Sequence, residues 1–118
     1  MPVTVLFVLI TVAAIAANVG AAAADFTKAD FALANSVRVG VPSTWLPVLG
    51  TLKIAGAAGL LLGLLGVRYI GTTAAVGLVL FFLGAIGVHL RAREHRHILT
   101  TIGYFLLAAA SLAASVAL

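Results

Sequence analysis

The sequence has no cysteine and, in 118 residues, only three acidic residues. The lack of cysteine excludes disulfide bonds, thiolate metal sites, cysteine-ligated iron–sulfur clusters and a cysteine nucleophile. Only 8% of the residues are charged while 64% are hydrophobic, and a soluble domain of this size has no means of hiding so much apolar surface. The net charge of +4 is too small, and too confined to one loop, for nucleic-acid binding. The composition therefore indicates an integral membrane protein.

Four apolar segments have the length of about 20 residues that a helix needs to cross a bilayer. They cover residues 3–24, 46–66, 71–90 and 98–118. Residues 25–44 form the only long polar connection, and the helical spacing of their apolar side chains predicts an interfacial helix. We therefore expect a single all-α domain, an antiparallel bundle of four transmembrane helices with an interfacial segment after the first.

The first apolar segment carries a periodic row of polar residues. Thr4, Thr11, Asn18 and Asp25 recur every seven positions, which places them along one side of a helix. Because lipid offers this row no hydrogen bonds, we expect it to face other helices or a wet cavity. The alternative is that the threonines bond to carbonyls of their own helix. No lysine or arginine precedes the segment, so we expect a retained helix and not a cleaved signal peptide.

Small residues mark the helix faces that we expect to pack closely. The second apolar segment has glycines at intervals of three or four residues: Gly56, Gly59, Gly63 and Gly66. The third segment has Gly77 and Gly84. The fourth has small and polar residues at the same intervals: Thr101, Tyr104, Ala108, Ser111 and Ser115.

Lys53 is the only basic residue well inside an apolar segment. A charge within the membrane is costly, so this lysine marks a candidate functional site. It either extends to the lipid headgroups as an anchor or turns inward towards Asn18, Asp25 or His89. His89 can serve as an acid–base group, a ligand or a hydrogen-bond donor, and its simpler role is an interfacial helix end. We predict that Asn18, Lys53, His89 and Tyr104 bind a ligand.

The loop between the third and fourth segments is basic and reads RAREHRH over residues 91–97. We expect four of its residues to contact lipid headgroups or a partner's acidic surface: Arg91, Arg93, Arg96 and His97. By the positive-inside rule this loop lies in the cytoplasm and both termini lie outside. Four residues of this region have side chains that can bind a metal, but their spacing matches no known metal-binding motif: His89, Glu94, His95 and His97. The nearby arginines would also repel a cation, so we expect no metal site.

Two stretches resemble the DoxX-like family of small membrane proteins. They read LPVLGTLKIAGAAGLLLGL over residues 46–64 and IGTTAAVGLVLFFLGAIGVHLRARE over residues 70–94. The resemblance implies a four-helix bundle in a bacterial plasma membrane. It also implies a link to redox chemistry, since some family members are subunits associated with quinone-linked or other redox enzymes. One such member is the small subunit of a thiosulfate:quinone oxidoreductase.

Together these features favour an accessory membrane protein without chemistry of its own. It would hold an apolar ligand, a quinone or a lipid, or seat a partner enzyme such as a membrane-associated oxidoreductase. We expect membrane lipid as a partner, no nucleic acid and no tightly bound cofactor other than such a ligand, and we allow for an oligomer.

The alternative from another class is a transporter or pore for a small solute. Its hydrated path would run past four residues: Thr11, Asn18, Lys53 and Ser111. The alternative is weakened because Asp25, Asp30 and Glu94 all lie outside the apolar segments, whereas a proton-coupled exporter needs a carboxylate within one. An enzyme that uses His89 and Lys53 has the least support, because no known catalytic arrangement appears.

Overall fold

The computed structural model describes residues 3–95 and 98–117, which form four long α-helices and one short one. The helices are α1 (Val3–Thr27), α2 (Asp30–Val39), α3 (Leu46–Leu64), α4 (Arg68–Arg91) and α5 (Ile98–Ala117). All but α2 are apolar and long enough to cross a membrane. The longest dimension of the molecule, 41 Å, is close to the thickness of a bilayer with its headgroup regions. The prediction of an all-α membrane bundle is confirmed.

The four long helices pack in a ring in the order α1, α3, α4, α5, with α5 closing against α1. The short helix α2 lies at the end of the bundle where α1 ends and α3 begins, and it contacts both α1 and α4. Its buried residues are Ala32, Ser36 and Val39, while Val37 is 77% exposed. We call this end the α2 end. The opposite end holds the α3–α4 turn, residues 65–67, and is called the turn end.

The core of the bundle is built mainly from small and medium-sized apolar side chains. It comprises Ala14, Leu60, Ala75, Leu78, Phe82 and Ala108, each at most 4% exposed. In contrast, Leu80, Leu106 and Val116 on the outside of the helices are more than half exposed. An apolar exterior over a closely packed interior is the pattern expected of helices surrounded by lipid.

Three of the predicted packing glycines lie where α3 approaches α4. An added Cβ at each would fall 2.5–2.7 Å from an atom of α4: Gly56, Gly59 and Gly63. At Gly63 that atom is the Cα of Gly71, so the two backbones are in contact there. Gly66 does not belong to this face. It lies in the turn with φ of +110°, a conformation that favours glycine.

The glycine pattern of the third segment gave a wrong prediction of its packing face. Gly77 and Gly84 are exposed, and an added Cβ at either position would meet nothing within 4 Å. The residues that α4 buries are instead Gly71, Ala75, Leu78, Phe82 and His89. Leucine and phenylalanine define this face because their large side chains fill the space between the helices, whereas Gly77 and Gly84 have no neighbouring helix atoms to pack against.

The polar row of α1 faces inward over most of its length. Thr11, Asn18 and Asp25 are 1%, 2% and 6% exposed, as predicted, whereas Thr4 is exposed. The helix continues three residues beyond the predicted end, to Thr27. The prediction that every acidic residue lies outside the apolar spans is therefore wrong for Asp25. Asp25 lies inside the bundle, where it is paired with a basic side chain of α3.

Candidate functional site

The buried carboxylate of Asp25 forms an ion pair with Lys53. The Nζ atom of Lys53 lies 2.6 Å from Oδ2 of Asp25, and the two side chains are 13% and 8% exposed. Nζ also lies 5.6 Å from the centre of the Phe81 ring, within the range of a cation–π contact. Of the two alternatives for Lys53, the structure shows the inward one. Pairing offsets much of the cost of placing either charge within an apolar bundle.

Gly50, almost one helical turn before Lys53, allows α1 to come close enough for this pair. A Cβ added at Gly50 would lie 3.2 Å from Cβ of Asp25 and 3.3 Å from the carbonyl oxygen of Ala22. Such contacts are tighter than ordinary van der Waals packing, so a larger residue at position 50 would push α1 away. The glycine therefore positions the carboxylate next to the lysine.

His89 is buried at the end of α4 and is only 2% exposed. Its Nδ1 atom lies 2.8 Å from the carbonyl oxygen of Ala85. Because a carbonyl can only accept, Nδ1 carries a hydrogen and donates it. Nε2 lies 3.5 Å from the Thr101 hydroxyl, which is too far for a strong hydrogen bond. Of the two roles considered for His89, the structure does not show the simpler one of an exposed helix end, since His89 faces the bundle interior and presents Nε2 to the space beside Thr101.

Three aromatic rings stand next to each other on α4 and α5. Phe82 and Tyr104 are stacked with centroids 5.3 Å apart, and Phe81 meets Phe82 edge-on at 5.0 Å. The Tyr104 hydroxyl makes no hydrogen bond to another residue in the part of the chain that the structure describes. The rings form an apolar wall, and this hydroxyl is left for a further partner.

These groups line one cavity of about 610 Å³ at the α2 end. Its polar lining includes Asp25, Lys53, His89, Thr101 and Tyr104, and its aromatic lining consists of Trp45, Phe81, Phe82 and Tyr104. The volume falls within the usual range for sites that bind small molecules. The structure thus brings together three of the four residues predicted to bind a ligand, namely Lys53, His89 and Tyr104.

Asn18, the fourth predicted residue, is not among the described residues that line this cavity. Its Nδ2 donates to the carbonyl oxygen of Ala14 at 2.8 Å, and its buried Oδ1 has no partner among residues 3–95 and 98–117. The sequence indicates Asp25 as one possible partner of an inward Lys53, but Asp25 is not included among the predicted ligand-binding residues. Sequence reasoning missed the Phe81–Phe82 pair, because nothing in the sequence distinguishes these two phenylalanines from lipid-facing ones.

The basic loop next to the cavity is held partly by a link to α2. Nε of Arg38 lies 3.9 Å from Oε2 of Glu94. Arg91 and Arg93 are exposed, as contacts with headgroups or a partner would require. The other two residues predicted to make such contacts, Arg96 and His97, lie outside the described residues.

A second, smaller cavity of about 210 Å³ lies at the turn end, with Thr11 and Ser111 in its lining. Of the four residues that the transport hypothesis places along one path, Thr11 and Ser111 line the smaller cavity, Lys53 lines the larger one, and Asn18 is among the described lining residues of neither. The transport hypothesis stays a prediction.

Four apolar helices packed in this way define a multi-pass membrane protein. The model of the DoxX-like family matches residues 9–111, most of the sequence, so the chain belongs to the DoxX-like family. The family resemblance of the two glycine-rich stretches is thereby confirmed. Comparisons with curated proteins and with solved structures give no match.

Proposed function

We propose that this protein holds the polar head of an amphipathic membrane molecule, a quinone or a lipid, in the cavity at the α2 end. It would act as an accessory membrane protein without chemistry of its own. The observation that carries the proposal is the make-up of that cavity. Its 610 Å³ are bordered by an aromatic wall and by a small set of nearly buried polar groups. Such a combination of apolar surface and a few oriented polar groups is typical of small-molecule sites.

The charges around the cavity favour a neutral head over an anionic one. Lys53 is paired with Asp25 at 2.6 Å, and Arg38 lies 3.9 Å from Glu94, although its buried Nε has no hydrogen-bond partner among the described residues. Both of these cations in the described lining therefore have a carboxylate nearby. An anionic headgroup would have to compete with these carboxylates. A quinone head has no charge and carries carbonyl oxygens that only accept hydrogen bonds. We therefore favour a quinone over an anionic lipid.

The hydrogen-bond donors and the aromatic rings that line the cavity can both contact a quinone head. The Tyr104 hydroxyl and the Lys53 ammonium group can donate to carbonyl oxygens. The Phe81 and Phe82 rings offer a surface against which a planar ring can stack. An isoprenoid tail would leave the cavity towards lipid along the exposed apolar surface of the helices.

The test is to measure what the protein retains when it is extracted in mild detergent. Bound quinone and lipid would be extracted with organic solvent and quantified by mass spectrometry per mole of protein. Gly84 lines the cavity and has open space around it, so Gly84→Phe should fill the cavity rim without disturbing the fold. Gly77 is a matched control, because it lies two turns earlier on α4 and is equally open but does not line the cavity.

We expect the unmodified protein and Gly77→Phe to retain quinone at close to one molecule per chain, and Gly84→Phe to retain at least fivefold less. Retention of a phospholipid instead, with the same dependence on Gly84, would assign the cavity to lipid. The proposal fails if neither molecule is retained above the background of empty micelles, or if the two variants behave alike.

Contact with a partner is supported by the exposed arginines of the basic loop. Arg91 and Arg93 lie at the same end of the bundle as the cavity, so a protein bound there would be next to the ligand. We propose that this end faces the cytoplasm of a bacterium and seats a membrane-associated oxidoreductase. Co-purification that is lost in an Arg91→Gln/Arg93→Gln variant would support this, whereas co-purification of the same enzyme with that variant would contradict it.

A further inference from the structure

We propose that the small cavity at the turn end is a second binding site, which takes a phosphate group. The phosphate belongs either to a phospholipid headgroup or to a small free anion. The cavity measures about 210 Å³ and is separate from the larger one. Its lining combines hydroxyl groups, one arginine and glycines, with no acidic side chain among the described lining residues.

Thr11 is the residue that points to a ligand. It is 1% exposed and borders the cavity, yet its Oγ1 has no hydrogen-bond partner within the described ranges. A buried hydroxyl without a partner is destabilising, and most such groups in proteins are satisfied by protein or by a bound molecule. A threonine in a helix usually donates to the backbone carbonyl one turn earlier, but the Thr11 hydroxyl makes no such bond within α1. An acceptor oxygen in the cavity would satisfy this hydroxyl.

Arg68 gives the site its charge. Its Nη2 lies 3.4 Å from the carbonyl oxygen of Ser115, a long contact that leaves most of its donors open. Arg68 begins α4, whose first turn contains no acidic residue and whose N-cap, Val67, provides no side-chain hydrogen bond. A guanidinium group next to the positive end of a helix is a favourable place for an oxyanion.

Phosphate suits the donors better than a carboxylate does. The Ser115 hydroxyl in the lining lies 2.5 Å from the Thr72 hydroxyl, and it is free to donate to a ligand when Thr72 donates to it. Ser115, Thr11 and Arg68 lie on three different helices around the cavity, so their donors approach a ligand from different sides, whereas the two oxygens of a carboxylate lie in one plane. A phosphate presents three or four oxygens in several directions.

The space for this group comes from glycines. Gly63, Gly66 and Gly71 all border the cavity. The close contact between Gly63 and Gly71 and the tight turn at Gly66 bring α3 and α4 together without side chains that would fill the gap. The turn end of a membrane-spanning bundle also lies at headgroup depth, where phosphate is abundant.

The experiment measures binding to the 118-residue protein in detergent by native mass spectrometry. One arm adds inorganic phosphate, and the other adds phosphatidylglycerol. We expect one phosphate-bearing molecule per chain in at least one arm. Thr11→Val should weaken this binding about three- to tenfold, the range for one hydrogen bond. Arg68→Gln should weaken it about tenfold or more, because the bond it removes is charge-assisted.

Thr11→Val also separates a role in binding from a role in stability. Since the hydroxyl has no partner among residues 3–95 and 98–117, its removal should leave the melting temperature of the unliganded protein unchanged or higher. Thr51→Val is the matched control, because Thr51 is exposed and donates to the carbonyl of Pro47. Gly84→Phe, which alters only the larger cavity, should bind phosphate as the unmodified protein does.

Binding in the phosphatidylglycerol arm alone would assign the site to lipid headgroups. Binding of inorganic phosphate, with displacement of the lipid, would assign it to a free anion. The proposal is overturned if neither molecule binds, or if Thr11→Val and Arg68→Gln both bind as tightly as the unmodified protein.

Discussion

Lys53 of α3 and Asp25 of α1 are joined by a contact of 2.6 Å between nearly buried charges, across 28 positions of the sequence. This ion pair links α1 to α3, and both of its residues line the larger cavity. It also removes the net charge that either residue alone would place there. The same pair therefore bears on the stability of the bundle and on the charge of any ligand that the proposed function places in the cavity.

We expect removal of one member of this pair to be costly. Lys53→Met or Asp25→Leu alone should lower the free energy of unfolding by about 3 kcal/mol, because each leaves a nearly buried charge without its partner. The double variant should recover most of that loss, since two apolar side chains can replace a buried ion pair. Unfolding in detergent can be followed by the fluorescence of Trp45, the only tryptophan.

Arg38→Gln provides the control for this comparison. Its contact with Glu94 is long, at 3.9 Å, and the Arg38 side chain is 32% exposed, so the change should alter stability by less than about 1 kcal/mol. A double variant that is no more stable than the two single variants would contradict the assignment of a compensating ion pair.

The contact between the backbones of Gly63 and Gly71 predicts that an added side chain at this point destabilises the packing of α3 against α4. Gly63→Ala would place a Cβ 2.7 Å from the Cα of Gly71, and a backbone atom cannot rotate away. We expect α3 and α4 to separate and the protein to lose about 1–3 kcal/mol of stability, as overpacked cores do. The same substitution at Gly103, where nothing lies within 4 Å, should be neutral or slightly stabilising. Equal melting temperatures for the two variants in detergent would argue against close backbone packing at this point.

The sequence was sufficient to predict the four helices and the inward side of α1. Long apolar segments and a row such as Thr11, Asn18 and Asp25 depend only on length and helical periodicity. The end of α1 was not predictable in the same way. A charge near the end of an apolar segment normally marks the boundary, whereas Asp25 lies within α1 with its side chain 8% exposed and paired with Lys53.

The direction of Lys53 also required the structure. On a helical wheel it lies at the edge of the glycine face, about 60° from Gly56, which is compatible with either direction. The direction of the Lys53 side chain is decided by the close approach of α1 to α3 at Gly50. This is a contact between two helices, and the residue pattern of α3 alone does not predict it. The cavity depends in the same way on how Phe82 and Tyr104 meet across two helices.

The hydroxyl of Tyr104 gives a direct test of ligand binding at the larger cavity. Tyr104→Phe keeps the ring that stacks on Phe82 and removes a hydroxyl that has no hydrogen bond within the described residues. We expect the melting temperature in detergent to stay the same, while the amount of bound quinone falls about three- to tenfold at subsaturating concentration. Tyr69→Phe, at a residue that is 89% exposed, is the matched control and should change neither quantity. A lower melting temperature with unchanged quinone binding would instead assign the hydroxyl a structural role.

The absence of cysteine makes the orientation in the membrane directly testable. The α2 end carries Arg91 and Arg93, and the turn end carries Arg68, so the positive-inside rule predicts that the α2 end faces the cytoplasm. Leu65, in the α3–α4 turn, is 72% exposed, and Ala92, at the start of the basic loop, is also exposed. In intact bacterial cells a membrane-impermeant maleimide should therefore label Leu65→Cys, whereas Ala92→Cys should be labelled only after the cells are permeabilised. Retention of the same bound molecule by both variants would show that the fold is intact. The reverse labelling pattern would place the larger cavity and the arginines outside and would rule out a cytoplasmic partner at that end.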